Sequence, residues 1–176
     1  MRKIGQTLRF LIPVIALVAL VVFMTGAGRR ERARLEKNKA LIMRYGEEFW
    51  NKGDMAVADE ILATEYVRHE VLAPGGIIRG REAMKQWVTG IRTAWPDYHC
   101  TPEDVIAEGD KVVVRLAIRG TFKGELLGIP PNGKEIAFED LVIFRIAGGR
   151  IVEDWVFPQE LTLMSQMGLK LVPAEE

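Results

Sequence analysis

From Tyr98 onward the chain is written almost entirely in strands. Tyr98–Ala107, Lys111–Phe122, Glu135–Ala147 and Arg150–Phe157 are rich in β-branched residues. The links Glu108–Asp110 ("EGD") and Ala147–Gly149 ("AGG") are short enough to require tight hairpins. Before Pro96 the apolar spacing is helical instead. Leu41/Ile42, Tyr45 and Phe49 share one face of a helix from about Arg34 to Lys52, which Gly53 stops. Asp54 caps a second, shorter helix running to about Ala63. An extended piece, Glu65–Val71, is broken by Pro74-Gly75-Gly76. A third helix from Arg81 to Trp95 carries Met84, Trp87/Val88, Ile91 and Trp95 on its apolar face. Gln159–Gly168 reads as a short closing helix. Helices first and consecutive strands afterwards predict an α+β fold. We expect a curved antiparallel sheet with three helices across one face and a conical cavity between the layers.

The remaining features narrow the functional classes. The 176 residues carry 24 basic and 24 acidic side chains, so no global field attracts nucleic acid, and no basic-aromatic groove is visible. The single cysteine, Cys100, cannot form an intrachain disulfide, and no His/Cys cluster has metal-ligand spacing. Phe10–Gly28 is uncharged and would span about 28 Å as a helix, enough for a bilayer core. It reads as a single transmembrane anchor between a basic tail (residues 1–9) and a basic linker (residues 29–37), with a cleaved signal peptide as the alternative. Arg2, Lys3 and Arg9 precede the span, and Arg29, Arg30, Arg32, Arg34, Lys37 and Lys39 follow it. That excess places the folded domain on the cytoplasmic side, an exported domain being the alternative.

Three segments carry a resemblance. "FWNKGDMAVADEILATEYVRHEV" (Phe49–Val71), "GIPPNGKEIAFEDLVIFRIAGGRIVEDW" (Gly128–Trp155) and "LMSQMGL" (Leu163–Leu169) resemble the SnoaL-like polyketide cyclase, or ester cyclase, family of the NTF2-like superfamily. The likeness covers about residues 38–171, leaving 172–176 as a tail. It implies a cone-shaped α+β domain, a homodimer formed through the outer sheet face, and ring closure by aldol chemistry without metal or cofactor. It also implies a catalytic carboxylate two residues before Pro158 and a pocket histidine on the preceding strand. Those positions hold Val156 and Val142 here. Leu127–Lys134, with Pro130-Pro131 and Asn132-Gly133, is turn chemistry.

Strand register decides what else faces the pocket. A two-residue turn at Gly148-Gly149 would set Ala147 opposite Arg150. A three-residue loop would set Ile146 opposite Arg150, and one step inverts every side chain. The resemblance favours the three-residue loop, because it places Val142 and Val156 together. Asp140, Val142, Phe144, Val152, Asp154 and Val156 then share the pocket face, while Glu139, Glu153 and Trp155 share the other. Desolvation would raise Asp140 and Asp154 into a range useful for proton transfer, unless Arg115 or Arg119 pairs with them.

His69, matching a histidine common in the resembling family, is the leading single candidate for a proton shuttle. His99 reads as surface strand. Tyr45, Tyr66 and Tyr98 could hold an oxyanion. Trp87 and Tyr66, with Val142, Phe144 and Val156, are expected to line a site for a small hydrophobic ligand.

Three readings follow. One is a cofactor-free proton-transfer enzyme acting on a hydrophobic carbonyl compound through His69, Asp154 and Asp140. The second is an epoxide or ester hydrolase in which both aspartates converge with Arg115 or Arg119. The third is a membrane-anchored, non-catalytic ligand-binding domain.

Overall fold

A computed structural model describes residues 26–170 and Val172. The expected anchor, residues 10–28, therefore lies outside the described residues except at its last three positions. Among the described residues, no helix is long and apolar enough to cross a membrane. The chain divides into two units, Met1–Lys37 and Asn38–Glu176. In the first, residues 26–37 are helical, with Arg34 paired to Glu31 at 2.7 Å.

The second unit opens with α1, which is α-helical over residues 38–44 and π-helical over Tyr45–Asn51. The wide turn closes with the Lys52 amide donating to the Glu47 carbonyl at 3.1 Å, a five-residue step. It turns Tyr45, Phe49 and Trp50 inward together. Gly53 ends the helix at φ 70°, as its position in the sequence suggests. The Arg92 guanidinium donates to the Trp50 and Asn51 carbonyls at 2.8 Å each, fixing the end of α1 from a neighbouring helix. The Asp54 carboxylate accepts from the Ala56 amide at 3.0 Å. The following helix α2 is short, Val57–Ile61, and does not reach Ala63. Leu62 is already extended (φ −95°, ψ 145°) because it starts β1, Leu62–His69.

A 3₁₀ turn at Pro74–Gly76 leads to β2, Ile77–Arg79, a strand too short to be read from sequence. Then comes α3, Arg81–Ala94, whose Met84, Val88, Ile91 and Ala94 are buried. Four strands follow, β3 His99–Glu108, β4 Lys111–Thr121, β5 Glu135–Ala147 and β6 Arg150–Pro158, and finally α4, Glu160–Gln166. Asn132 does more than turn its loop: its side chain accepts from the Lys134 amide and donates to the Gln166 carbonyl at 2.8 Å, tying the loop to α4.

The six strands lie in the order β2-β1-β6-β5-β4-β3. The sheet is mixed, correcting the expectation of an antiparallel one: β1 pairs parallel with β6, and every other pair is antiparallel. A parallel neighbour so distant in sequence leaves no hairpin signal. The hairpin register also needs correction. Ala147 lies opposite Arg150, so the turn has two residues. The ladder then shifts between Ile146↔Ile151 and Arg145↔Glu153, with Val152 as the bulged residue. Beyond the bulge Phe144 opposes Asp154 and Val142 opposes Val156. The shared face expected for these four residues is therefore observed, but through a different device. Ile151, not Val152, is buried beside them.

The core lies between this sheet face and the helices, and includes Ile136, Val142 and Phe144 of β5 with Val112, Val114 and Ile118 of β4. The chain after β4 passes tightly under α3. Lys123 and Gly124 both donate to the Ala94 carbonyl, and a Cβ at Gly124 would lie 2.6 Å from the Thr93 carbonyl oxygen. We expect Gly124→Ala to cost about 1–3 kcal/mol, read as a lowered urea midpoint at unchanged slope, because the obstacle is backbone.

Candidate functional site

Strand β1 builds the centre of the site. Its alternation places Tyr66 and Arg68 inside, and Glu70, just past its end, is buried as well. Arg68 is 5% exposed, a rare state for a guanidinium, and its partners explain how it is tolerated. Nε and Nη2 donate to Glu70 Oε2 at 3.2 and 3.0 Å, and Nη1 donates to Asp154 Oδ2 at 2.9 Å. The Tyr45 hydroxyl accepts a longer bond of 3.4 Å, and the guanidinium carbon lies 5.4 Å from the Trp50 ring centroid. Burial opposes the charge on Arg68, but Asp154, Tyr45 and Glu70 outweigh it and hold the group protonated. Glu70 Oε1 accepts from the Leu72 amide at 3.3 Å, anchoring the loop that follows β1.

A cavity of about 270 Å³ opens beside this cluster. Apolar walls come from Val114, Leu116, Val142 and Phe144 of the sheet, from Ile42, Tyr45 and Trp50 of α1, and from Tyr98 just before β3. Its polar groups include Arg68, Asp140 and Asn51, and His99 lies on an exposed part of the rim. Cys100 also lines it. Burial pushes its thiol up to about 12, so it is a small apolar wall residue at neutral pH. A second lobe of about 40 Å³ is lined in part by Trp87, Trp95, Phe138 and Leu163, and it shares Trp50, Arg68, Tyr98 and Asp140 with the larger one. Asp140 thus lines both lobes.

The two inward aspartates differ in their surroundings. Asp140 is 8% exposed and its Oδ1 has no partner. Burial raises its pKa to about 7, with Arg68 pulling it down and Glu70 pushing it up. Asp154 is fully buried and lines neither lobe. Burial raises it to about 6 against the lowering influence of Arg68 and of the Tyr66 hydroxyl. Tyr66 and Asp154 Oδ1 do not meet at bonding geometry, yet the hydroxyl is near enough to favour the ionised carboxylate. Asp154 is therefore the counterion of Arg68, while Asp140 is a carboxyl group presented to the cavity.

The other expected site residues divide in the same way. Val142 and Phe144 line the large lobe and Trp87 the small one. Tyr66 and Val156 are buried on the inner side but line neither lobe. His69 is placed differently from expectation. It lies on the opposite sheet face, its Nε2 2.9 Å from Glu153 Oε1 and its ring stacked on Trp155 at 5.3 Å. Arg145 completes that group by donating to Glu153 at 2.7 Å. Trp155 faces away from the pocket, as expected, although the bulge at Val152 and not a three-residue loop puts it there. Arg115 and Arg119 are not the partners of the aspartates. Arg115 pairs with Glu103, Asp104 and Glu139 on the outer face, and Arg119 is exposed.

Arg68 and Glu70 are what the sequence reading missed. In "EYVRHEV", alternation defines the sets Tyr66/Arg68/Glu70 and Val67/His69/Val71, and the usual exposure of charge argues for the second set inside. The available signal was the opposite charge at two-residue spacing, which lets the inward set neutralise itself.

Residues 40–167 match the family described as SnoaL-like polyketide cyclase. The chain belongs to that family. Among curated SnoaL-like relatives, aklanonic acid methyl ester cyclase DauD of Streptomyces sp. (strain C5) is 30% identical over 110 residues, covering 59% of this chain and 68% of the relative. Aklanonic acid methyl ester cyclase DnrD of Streptomyces peucetius is 27% identical over 128 residues, covering 72% and 88%. Among solved structures, IdmH of Streptomyces antibioticus, described as a candidate polyketide cyclase, superposes with TM-score 0.65 at 29% identity, covering 75% of this chain and 99% of that one. A SnoaL-like protein of Jannaschia sp. CCS1 gives TM-score 0.70 at 24% identity, covering 77% and 94%, and supports the fold alone.

Proposed function

We propose that this SnoaL-like domain catalyses cofactor-free proton transfer on a small, largely apolar carbonyl compound, with Asp140 as the acid/base. The observation that carries this reading is a buried carboxyl group, engaged by no cation among the described residues, that lines both lobes of an aromatic-lined cavity. A carboxylate there removes a proton from the carbon next to the carbonyl. The C–H bonding pair moves into the enolate, and the enolate oxygen gains negative charge. The enolate carbon can then attack a second carbonyl of the same molecule, whose oxygen takes the proton back from Asp140. The same two steps without attack are an isomerisation. Ionised Arg68 lies among the lining groups and offsets the developing charge where burial weakens screening. The names of the curated relatives, cyclases of methyl esters, support the cyclising version.

The two inert positions, Val142 and Val156, oppose each other in the sheet. Asp140 lies two residues before Val142 on the same strand face, about 7 Å along the strand. A carboxyl group thus lines the cavity from β5, the strand next to the one on which the resemblance expects it.

A base of pKa about 7 must be ionised to act, so activity should rise with pH and level off above it. The test is hydrogen–deuterium exchange at C2 of 1-tetralone in deuterated buffer, followed by proton NMR. Exchange above the buffer rate with an apparent midpoint near 7 supports the reading. Exchange at the buffer rate across the range argues against it.

A further inference from the structure

A ligand must enter the large lobe, and the exposure of its lining shows where. Most of the lining residues are buried. Apart from Leu116, which pairs with Pro102, the exposed and half-buried ones fall on two short stretches. One is α1 from Met43 to Asn51, with Gly46 and Glu47 between them. The other is His99, Thr101 and Pro102 at the start of β3. The lobe therefore meets solvent in the gap between these stretches. One end of the gap is fixed. The Asn51 side chain donates to the Cys100 carbonyl at 3.0 Å and accepts from the Cys100 amide at 2.8 Å, so α1 and β3 are bracketed at that point. Glu47 is held along α1 by Asn51 and Lys52, at 3.2 Å each.

Gly46 is the residue of this gap that local structure does not account for. A glycine inside a helix is unfavourable unless something requires it. The backbone does not, because Gly46 is outside the glycines with positive φ. Packing does not either: beyond its own helix, a Cβ there would meet only Cys100 Sγ, at 3.8 Å, an ordinary contact. That contact also gives the direction. A longer side chain at this position would point from α1 toward β3, across the gap. Tyr45 and Trp50, in the same π-helical turn, line the lobe behind it. We infer that the gap between α1 and the start of β3 is the portal of the large lobe, and that Gly46 keeps it open and so limits the size of the ligand that enters. Gly46 is then a specificity-determining residue that acts through access. This assignment rests on the cavity being a small-molecule site, as proposed above, but does not require Asp140 to move a proton.

NMR line shapes in titrations of the full chain with 1-tetralone give the association and dissociation rates. Gly46→Leu should slow both by about tenfold and leave Kd within about threefold, because a narrowed portal delays entry and exit alike. Gly46→Ala should slow them less while raising the urea midpoint, as expected where no backbone constraint requires glycine. Gly90→Leu is the control. Gly90 is also helical, is exposed and lines neither lobe, so both rates should match the wild type. Should Gly46→Leu not fold, Thr101→Phe narrows the gap from the opposite rim and must slow both rates. Unchanged rates in these variants overturn the portal. So does a weaker Kd carried by faster dissociation, which would mean that the leucine occupies the lobe instead of its mouth. Slowing by Gly46→Leu should persist in an Asp140→Asn background, so failure of the exchange reaction and failure of the portal are separate results. A wild type that binds no 1-tetralone overturns the portal together with the small-molecule reading.

Discussion

Replacing Arg68 with methionine is expected to destabilise the domain by about 3–5 kcal/mol near pH 7.5, because a buried ion cluster loses its only cation. Arg68 holds Glu70 at 3.0 Å and Asp154 at 2.9 Å, and all three side chains are nearly or fully buried. Methionine is of similar length and leaves no large void, so the expected loss reflects uncompensated carboxylates more than packing. This distinction can be measured by urea unfolding. In the variant the carboxylates would take up protons in the folded state, so its deficit should shrink as pH falls toward 5. Adding Asp154→Asn should recover part of the loss at pH 7.5. A deficit that stays the same at both pH values would point to packing alone.

Asp140→Asn should reduce proton-transfer activity by about 10²–10⁴-fold while making the domain more stable at alkaline pH. The folded pKa of Asp140 is about 7 and its ordinary value 3.8, the rise being caused mainly by burial. Between those values the folded state binds the proton more tightly than the unfolded one. Stability contributed by this group is therefore complete at low pH and falls as pH rises through that window. Asparagine has no such titration. The variant should show a flatter pH dependence from about 4 to 7, keeping the part due to Asp154, which is raised to about 6. Above pH 7 we expect it to exceed the wild type by about 1–3 kcal/mol, discounted from the full shift for residual solvent access. Activity exchange with 1-tetralone and urea unfolding at pH 5 and 8 check both halves. A gain in stability with a loss of activity is the signature of a group kept for chemistry at the expense of the fold.

The two substitutions probe different parts of one arrangement. Arg68 and its partners make the cavity wall possible, and Asp140 is the group that this wall leaves available. Asp154, which shares a face with Asp140 on the neighbouring strand, could not be separated from it by alternation. Only the third dimension shows that one carboxylate faces a guanidinium and the other faces the cavity.

Much of the framework was legible in the chain itself. Periodicity identified β3 to β6, α3 and α4, and the resemblance supplied the family. Alternation within β5 and within β6 grouped Asp140 with Val142 and Phe144, and Asp154 with Val156, because period-two patterns are local; the resemblance, not the alternation, put the two groups on one face. What depends on distant partners was not legible. The parallel pairing of β1 with β6 joins residues more than 80 positions apart, and it decides that Arg68 meets Asp154. The bulge at Val152 restored by one extra residue the register that the turn alone would have lost. His69 and Arg68 are neighbours on one strand; the resemblance pointed to His69, while the structure turns Arg68 inward and His69 to the other face. Burying an arginine is favourable only when partners from elsewhere in the chain receive it, and those partners are assembled by the tertiary structure.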